Sequence, residues 1–233
     1  MTLPEYRALG FTYDDFDDLV HDLHEEEVRV AEGYEAALVH QDPSGARITA
    51  LQEEGEGWLV VPGFRTRHTV FAHSYRAAQH VSVVELIKDE KIYARLACAS
   101  DDSFTLPASF PGGENVVRVN ELQLSAAALD FTLDDVATGA PSIVRSESTE
   151  RYYQSYSPRG LSPIADLDAT LVGAERRTNE MGEESFWECG IELPGGILTL
   201  LLPGDTQPAA GQRFHGKVLM MANTGYWAAE LAR

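Results

Sequence analysis

Apolar and polar positions repeat with two periods along this chain, and the helical one is confined to its start. Phe16, Leu19, Val20 and Leu23 recur at i, i+3, i+4 and i+7, one stripe of an amphipathic helix. Thr12 and Asp15 have the spacing of a capping box, and Asp14, Asp15 and Asp17 fall where a helix dipole favours negative charge. The pattern predicts a helix over 13–27. Its other face, with Asp17, Asp18, Asp22, Glu25 and Glu26, is solvated or meets a basic surface. Beyond it, strand-sized apolar runs alternate with turn signals. Asp42-Pro43-Ser44-Gly45 joins "GYEAALVH" to "RITALQE", with Pro fixing φ and Gly permitting a positive φ. "HVSVVELI" and "IYARLACA" form a hairpin across Lys88–Lys91, and no second long helix is available to cross over a parallel sheet.

Composition changes at 151–163, "RYYQSYSPRGLSP", which reads as a connector whose tyrosines pack along a domain surface. The chain thus divides into a β-rich domain with an acidic N-terminal helix (1–150), a connector (151–163) and a small β domain (164–233). The fold class is mainly β (α+β), with a mixed, largely antiparallel first domain. In the last segment, a long strand, a tight "LPGG" hairpin at 193–196 and a Pro/Gly-rich connection before a final strand resemble a small OB-like antiparallel barrel. The helix usual between the third and fourth strands of that fold has no counterpart in "PGDTQPAAG". The motifs "DPSGARI", "ERRTNEMG…FW" and "GQRFHGKV" resemble an uncharacterised family of bacterial proteins, a resemblance that implies no activity, ligand or catalytic residue.

Charge changes the picture most. The 233 residues carry 18 Lys and Arg against 37 Asp and Glu, a formal net charge of −19. Such a balance disfavours double-stranded nucleic acid and anionic lipid, favours solubility and suits a basic protein partner. No apolar run approaches the ~20 residues of a membrane span, and the start has no signal-peptide pattern, so a cytoplasmic location is expected. Cys98 and Cys189 sit in apolar runs and read as buried hydrophobes.

One window departs from the acidic background. From Gly57 through Val84 there is no Asp or Glu, and it holds Arg65, Arg67, Arg76, His68, His73 and His80. On a strand running through 64–73, Arg65 and Arg67 share a face about 6.5 Å apart, where they would clamp a carboxylate or phosphate. His68 and His73 fall on opposite faces, which argues against a shared metal. The competing expectation is that these cations pair with the protein's own acidic helix. His21 and His24 lack the i, i+4 spacing and third ligand of a helical zinc site. No metal or cofactor is expected. Near the C-terminus, Trp187, Phe214, Tyr226 and Trp227 form a candidate aromatic surface, with Arg213, His215 and Lys217 alternating along one strand face; the competing expectation is that the aromatics fill the barrel or dock it on the first domain. No nucleophile elbow, P-loop or dinucleotide fingerprint occurs. Asp101-Asp102, Asp134-Asp135 and Asp166/Asp168 read as turn or exposed-face residues. The expectation is a non-catalytic protein-interaction or assembly protein, with a protein partner or a second copy. The alternatives are an enzyme or receptor for a small anion using Arg65, Arg67 and a nearby histidine, and single-stranded nucleic-acid binding by the barrel.

Overall fold

The computed structural model describes residues 3–11, 26–27, 33–135 and 140–225. The helix expected over 13–27 lies outside them except at its end. There Glu26–Glu27 form a two-residue strand, β1, opposite Leu38 and Val39 instead of a last helical turn. A short helix, α1 (Pro4–Arg7), precedes it. β2 (Tyr34–Gln41), β3 (Ala46–Glu53) and β4 (Trp58–Phe64) extend β1 into an antiparallel four-stranded sheet. The Asp42–Gly45 turn forms as its chemistry requires. Asp42 Oδ1 accepts the Ser44 N–H at 2.8 Å, and Gly45 takes φ +101° with its N–H on the Asp42 carbonyl at 3.0 Å. A Cβ at Gly45 would lie 2.9 Å from the Arg65 carbonyl oxygen.

The remaining strands are β5 (Thr69–Ala78), β6 (Val81–Lys88), β7 (Lys91–Ser100), β8 (Val117–Asp134), β9 (Ile143–Arg145), β10 (Ile164–Thr178), β11 (Ser185–Leu193), β12 (Gly196–Pro203) and β13 (Arg213–Asn223). The Lys88–Lys91 hairpin forms, with Asp89 and Glu90 both at positive φ as a twist-matched two-residue turn requires. The "LPGG" hairpin closes with Leu193 opposite Gly196.

Pairing among these strands closes two rings. β5, β6 and β7 form an antiparallel meander; β5 pairs with β8, and β7 pairs in parallel with the end of β13. β10, β11 and β12 form a second meander; β10 pairs with β13, and β12 pairs in parallel with β8. β8 and β13 pair antiparallel with each other from Gln123 to Asp134. Each ring has five strands, and β8 and β13 belong to both. In each half, a three-strand meander is followed by a strand that runs antiparallel in its own ring and closes the other ring in parallel. The chain is therefore two interlocked copies of one four-strand connectivity.

That exchange alters the boundary drawn from composition. The ring built from 164–223 takes its fifth strand from 117–134, upstream of the 151–163 segment, and one nine-stranded sheet runs through both. Part of the expected connector is a helix, α2 (Glu147–Ser155). Its Tyr152 is buried on Tyr75 and Val83 of the β5–β6 face with Tyr153 packed beside it, while Tyr156 is exposed.

Strand alternation sorts the shared ribbon into two faces. Leu122, Leu124, Ala126 and Ala128 of β8 join Val218, Met220 and Ala222 of β13 in the interior cluster of the rings. Ala127 and Met221 point the other way, against α1 and Ala46, Ile48 and Phe64 of the four-stranded sheet. Each large aliphatic buried here, such as Leu124, Leu198 or Leu200, contributes about 1.5–3 kcal/mol. Cys98 and Cys189 are unpaired and buried in the same interior. Burial pushes both thiols up, Cys189 to about 12 with the Glu188 charge adding to the effect.

Candidate functional site

The residues singled out in the acid-free window do not converge. β4 ends at Phe64 and β5 begins at Thr69, so Arg65, Arg67 and His68 lie in a loop and not on one strand. The loop is held by the Arg65 N–H on the Gly45 carbonyl (2.8 Å) and the His68 N–H on the Thr66 hydroxyl (3.1 Å). Arg65 is exposed; Arg67 reaches Glu175 at 3.8 Å, with both side chains largely in water. His73 sits on β5 with Nδ1 4.0 Å from Glu85. None of the four lines a described hollow. His21, His24 and the acidic helix offered as a partner for these cations lie outside the described residues.

The expected aromatic surface is corrected by strand parity. Phe214 lies between Arg213 and His215, so it faces the ring interior, fully buried and stacked on Phe131 at 5.4 Å. Trp187 packs partly buried against the same interior. Tyr226 and Trp227 lie outside the described residues.

The parity that buries Phe214 turns Arg213, His215 and Lys217 outward on one sheet face, made by β8, β13, β10 and β9. Its charges run in rows by strand. β8 presents Asp130 and Asp134, β13 presents His215 and Lys217 over the buried Arg213, β10 presents Asp166 and Asp168, and β9 presents Arg145. His215 stands between two carboxylates, Nδ1 3.2 Å from Asp168 and Nε2 3.5 Å from Asp134. Lys217 lies in register with Asp130 on one side and Asp166 on the other, and Asp166 in turn with Arg145. Arg213 is 2% exposed and donates to Asp168 Oδ1 (2.5 Å), Thr170 Oγ1 (3.0 Å) and the carbonyls of Ala140 (2.8 Å) and Pro141 (3.1 Å). It thereby anchors the chain that leads into β9. Arg145 grips Glu150 of α2 with two bonds of 2.9 and 3.0 Å, which lowers the Glu150 carboxyl below its ordinary range. A 630 Å³ hollow lies over this face, bordered by Asp130, Thr132, Ile143, Asp166, His215 and Lys217. Arg145 separates it from a 290 Å³ hollow beside Tyr93, Arg95, Thr149 and Tyr153.

No protein-family model, curated protein or solved structure matches this chain. Its chemistry has to be read from its own side chains.

Both outer meander faces are covered by the chain itself. α2 lies on β5–β7, with Tyr153 donating to Glu85 at 2.6 Å and Arg95 over the Tyr153 ring at 4.6 Å. α1 and the 65–68 loop lie on β11–β12 through Phe186 and Leu201, through Thr66 with Thr199 at 2.6 Å, and through Asn179 donating to the Leu9 carbonyl at 2.9 Å. A third polar cluster is wholly internal. Asp101 and Asp102, expected in an exposed turn, are 1% and 0% exposed. Asp101 accepts from Arg47 (2.8 Å) and Asn223 (2.6 Å), and Asp102 Oδ2 accepts the Thr224 N–H (2.7 Å) and hydroxyl (2.5 Å). Burial and the Asp101 charge push the Asp102 carboxyl up to about 7. Asp42 Oδ2 accepts the Glu180 and Met181 N–H groups at 2.9 and 3.3 Å, joining the four-stranded sheet to the β10–β11 loop. Among the described residues no three His, Cys, Asp or Glu side chains are placed to hold a metal ion. None of the described helices is long and apolar enough to cross a membrane. The charge rows were only half visible in the sequence: the β13 alternation was legible, but Ile143–Arg145 is too short a run to announce a strand.

Proposed function

We propose that this chain is a non-catalytic assembly protein of the cytoplasm, whose OB-like rings serve as a scaffold. It binds another protein through the face of β8, β13, β10 and β9. One observation carries the reading: among the described residues nothing covers this face, while α2 lies on β5–β7 and α1 and the 65–68 loop lie on β11–β12. It also exposes apolar side chains beside its charges, Ile143 at 56% and Ile164 at 44%. Open apolar side chains rimmed by paired charges are the composition of a protein contact. Neither hollow beside it contains a nucleophile aligned with a base. Incorporating a photo-cross-linking phenylalanine at Ile143 in native cells tests the reading. A discrete protein adduct at Ile143, absent when the probe is placed at Trp58, supports it; no adduct at either position contradicts it.

A second reading, binding of a small anion, moves from Arg65 and Arg67 to the row Arg118, His73, Glu85 and Arg95 across β8, β5, β6 and β7. It is favoured by Arg118, which lies over the Phe71 ring at 4.7 Å and has no carboxylate partner among the described residues. Titration with inorganic phosphate while following the His73 ring protons by NMR tests it. Shifts at His73 that saturate support the site, and unchanged shifts remove it.

A further inference from the structure

The order of charges on the open face has a symmetry of its own. Across β8, β13, β10 and β9 the rows run acidic, basic, acidic, basic. An even number of alternating rows is complementary to itself about its midline. Turning a second copy over about an axis parallel to the strands, between β13 and β10, lays β13 on the partner's β10 and β8 on the partner's β9. Lys217 of each copy then meets the Asp166–Asp168 row of the other. A face with three rows, or with rows of like sign at mirrored distances from the midline, would lack this property.

We propose that the partner is a second copy of this chain, docked face to face as a two-fold dimer; the proposal rests on the reading that this face is the binding surface. Long-range charge selects the face. Two molecules of net charge −19 repel each other over most approaches. On this face three cations, Arg145, Arg213 and Lys217, stand among Asp130, Asp134, Asp166, Asp168 and the Glu150 that Arg145 grips, so the repulsion is locally relieved against the −19 of the whole chain. Val172, 50% exposed midway along β10, joins Ile143 and Ile164 as apolar contact. From Ile164 to Val172 the face runs about 26 Å, and four strands make it about 19 Å wide. Only β10 runs that full length; β8 and β13 contribute residues 130–134 and 213–217 and β9 its three, so the footprint is about 300 Å² on each copy, below the usual size of a specific contact, and the dimer is weak and concentration-dependent. Sheet twist restricts the closest approach to the two central rows, β13 and β10.

Sedimentation equilibrium of the full chain, from micromolar to submillimolar concentration, tests the proposal. A reversible dimer is expected, and it strengthens as salt rises from about 0.01 to about 0.15 M because the long-range repulsion is screened. Contact with a basic partner would weaken over the same range. Lys217→Glu and Asp166→Lys each place like charges opposite one another and weaken self-association by about tenfold or more. Mixing these two variants restores the dimer: the glutamate introduced on β13 of one copy meets the lysine introduced on β10 of the other, while the native pair forms on the second side. The rescue needs only that both variants fold, which circular dichroism checks. A strict monomer, or a dimer indifferent to Lys217→Glu, overturns the proposal. In that event an Ile143 cross-link to a different protein leaves the assembly reading standing, and its absence removes both.

Discussion

Replacing Asp102 by asparagine removes a carboxyl that the folded chain holds protonated well above its ordinary range. Asp102 is fully buried; its Oδ2 accepts two bonds from Thr224, and its Oδ1 has no partner among the described residues. Arg47 is the guanidinium beside it, and that group bonds Asp101. Burial, then the neighbouring Asp101 charge, raises Asp102 from 3.8 to about 7. The folded state therefore binds this proton more tightly than the unfolded state. The contribution to stability is complete below the unfolded value and is lost as pH rises through the folded one. The loss proceeds at up to about 1.4 kcal/mol per pH unit and totals about 4 kcal/mol. Asparagine keeps an oxygen for Thr224 but puts an amide N–H₂ where Oδ1 lacks a partner, at a pH-independent cost of about 1–3 kcal/mol. Urea unfolding of both proteins, followed by tryptophan fluorescence from about pH 4 to about pH 8, isolates this group in the difference between them. Asp102→Asn should be the less stable protein at the acid end and the more stable one at the alkaline end. A difference that stays constant with pH would refute the assignment of Asp102 as the titrating group.

Arg47→Met leaves Asp101 and Asp102 buried without a cation and should cost about 3–5 kcal/mol, read as a fall in the urea midpoint; Arg47→Met with Asp101→Leu should recover much of it. Gly63→Ala places a Cβ 2.1 Å from Asp101 Oδ2 and should destabilise by about 1–3 kcal/mol or more in the same assay. Cys98 and Cys189, buried with raised thiols, should resist a disulfide reagent in the native state and react at the rate of unfolding; fast labelling of either would show an opening the packing does not contain.

What the sequence disclosed was local. The Asp42–Gly45 turn, the Lys88–Lys91 hairpin and the "LPGG" hairpin each depend on a few adjacent residues, and each formed. Ring closure depends on partners far apart in the chain. The Ala99–Met221 and Ala126–Leu200 pairings leave no mark in either strand's own pattern, so the recruitment of β8 into the second ring was invisible. The aromatic surface failed on a point that was legible. With Arg213, His215 and Lys217 outward, strand period two already places Phe214 inward. Arg65 and Arg67 lie off the strand because the Arg65 N–H bonds the Gly45 carbonyl and the His68 N–H bonds the Thr66 hydroxyl, which ends β4 at Phe64, a tertiary effect. Asp101 and Asp102 read as turn residues because their partners, Arg47, Asn223 and Thr224, come from distant elements.

The working surface is tested most directly by NMR on isotope-labelled chain as unlabelled chain is added. The account predicts amide shifts confined to 130–134, 143–145, 164–172 and 213–217, growing with concentration. Shifts centred instead on Arg65, His73 or Arg118, or no shifts at submillimolar concentration, would contradict it.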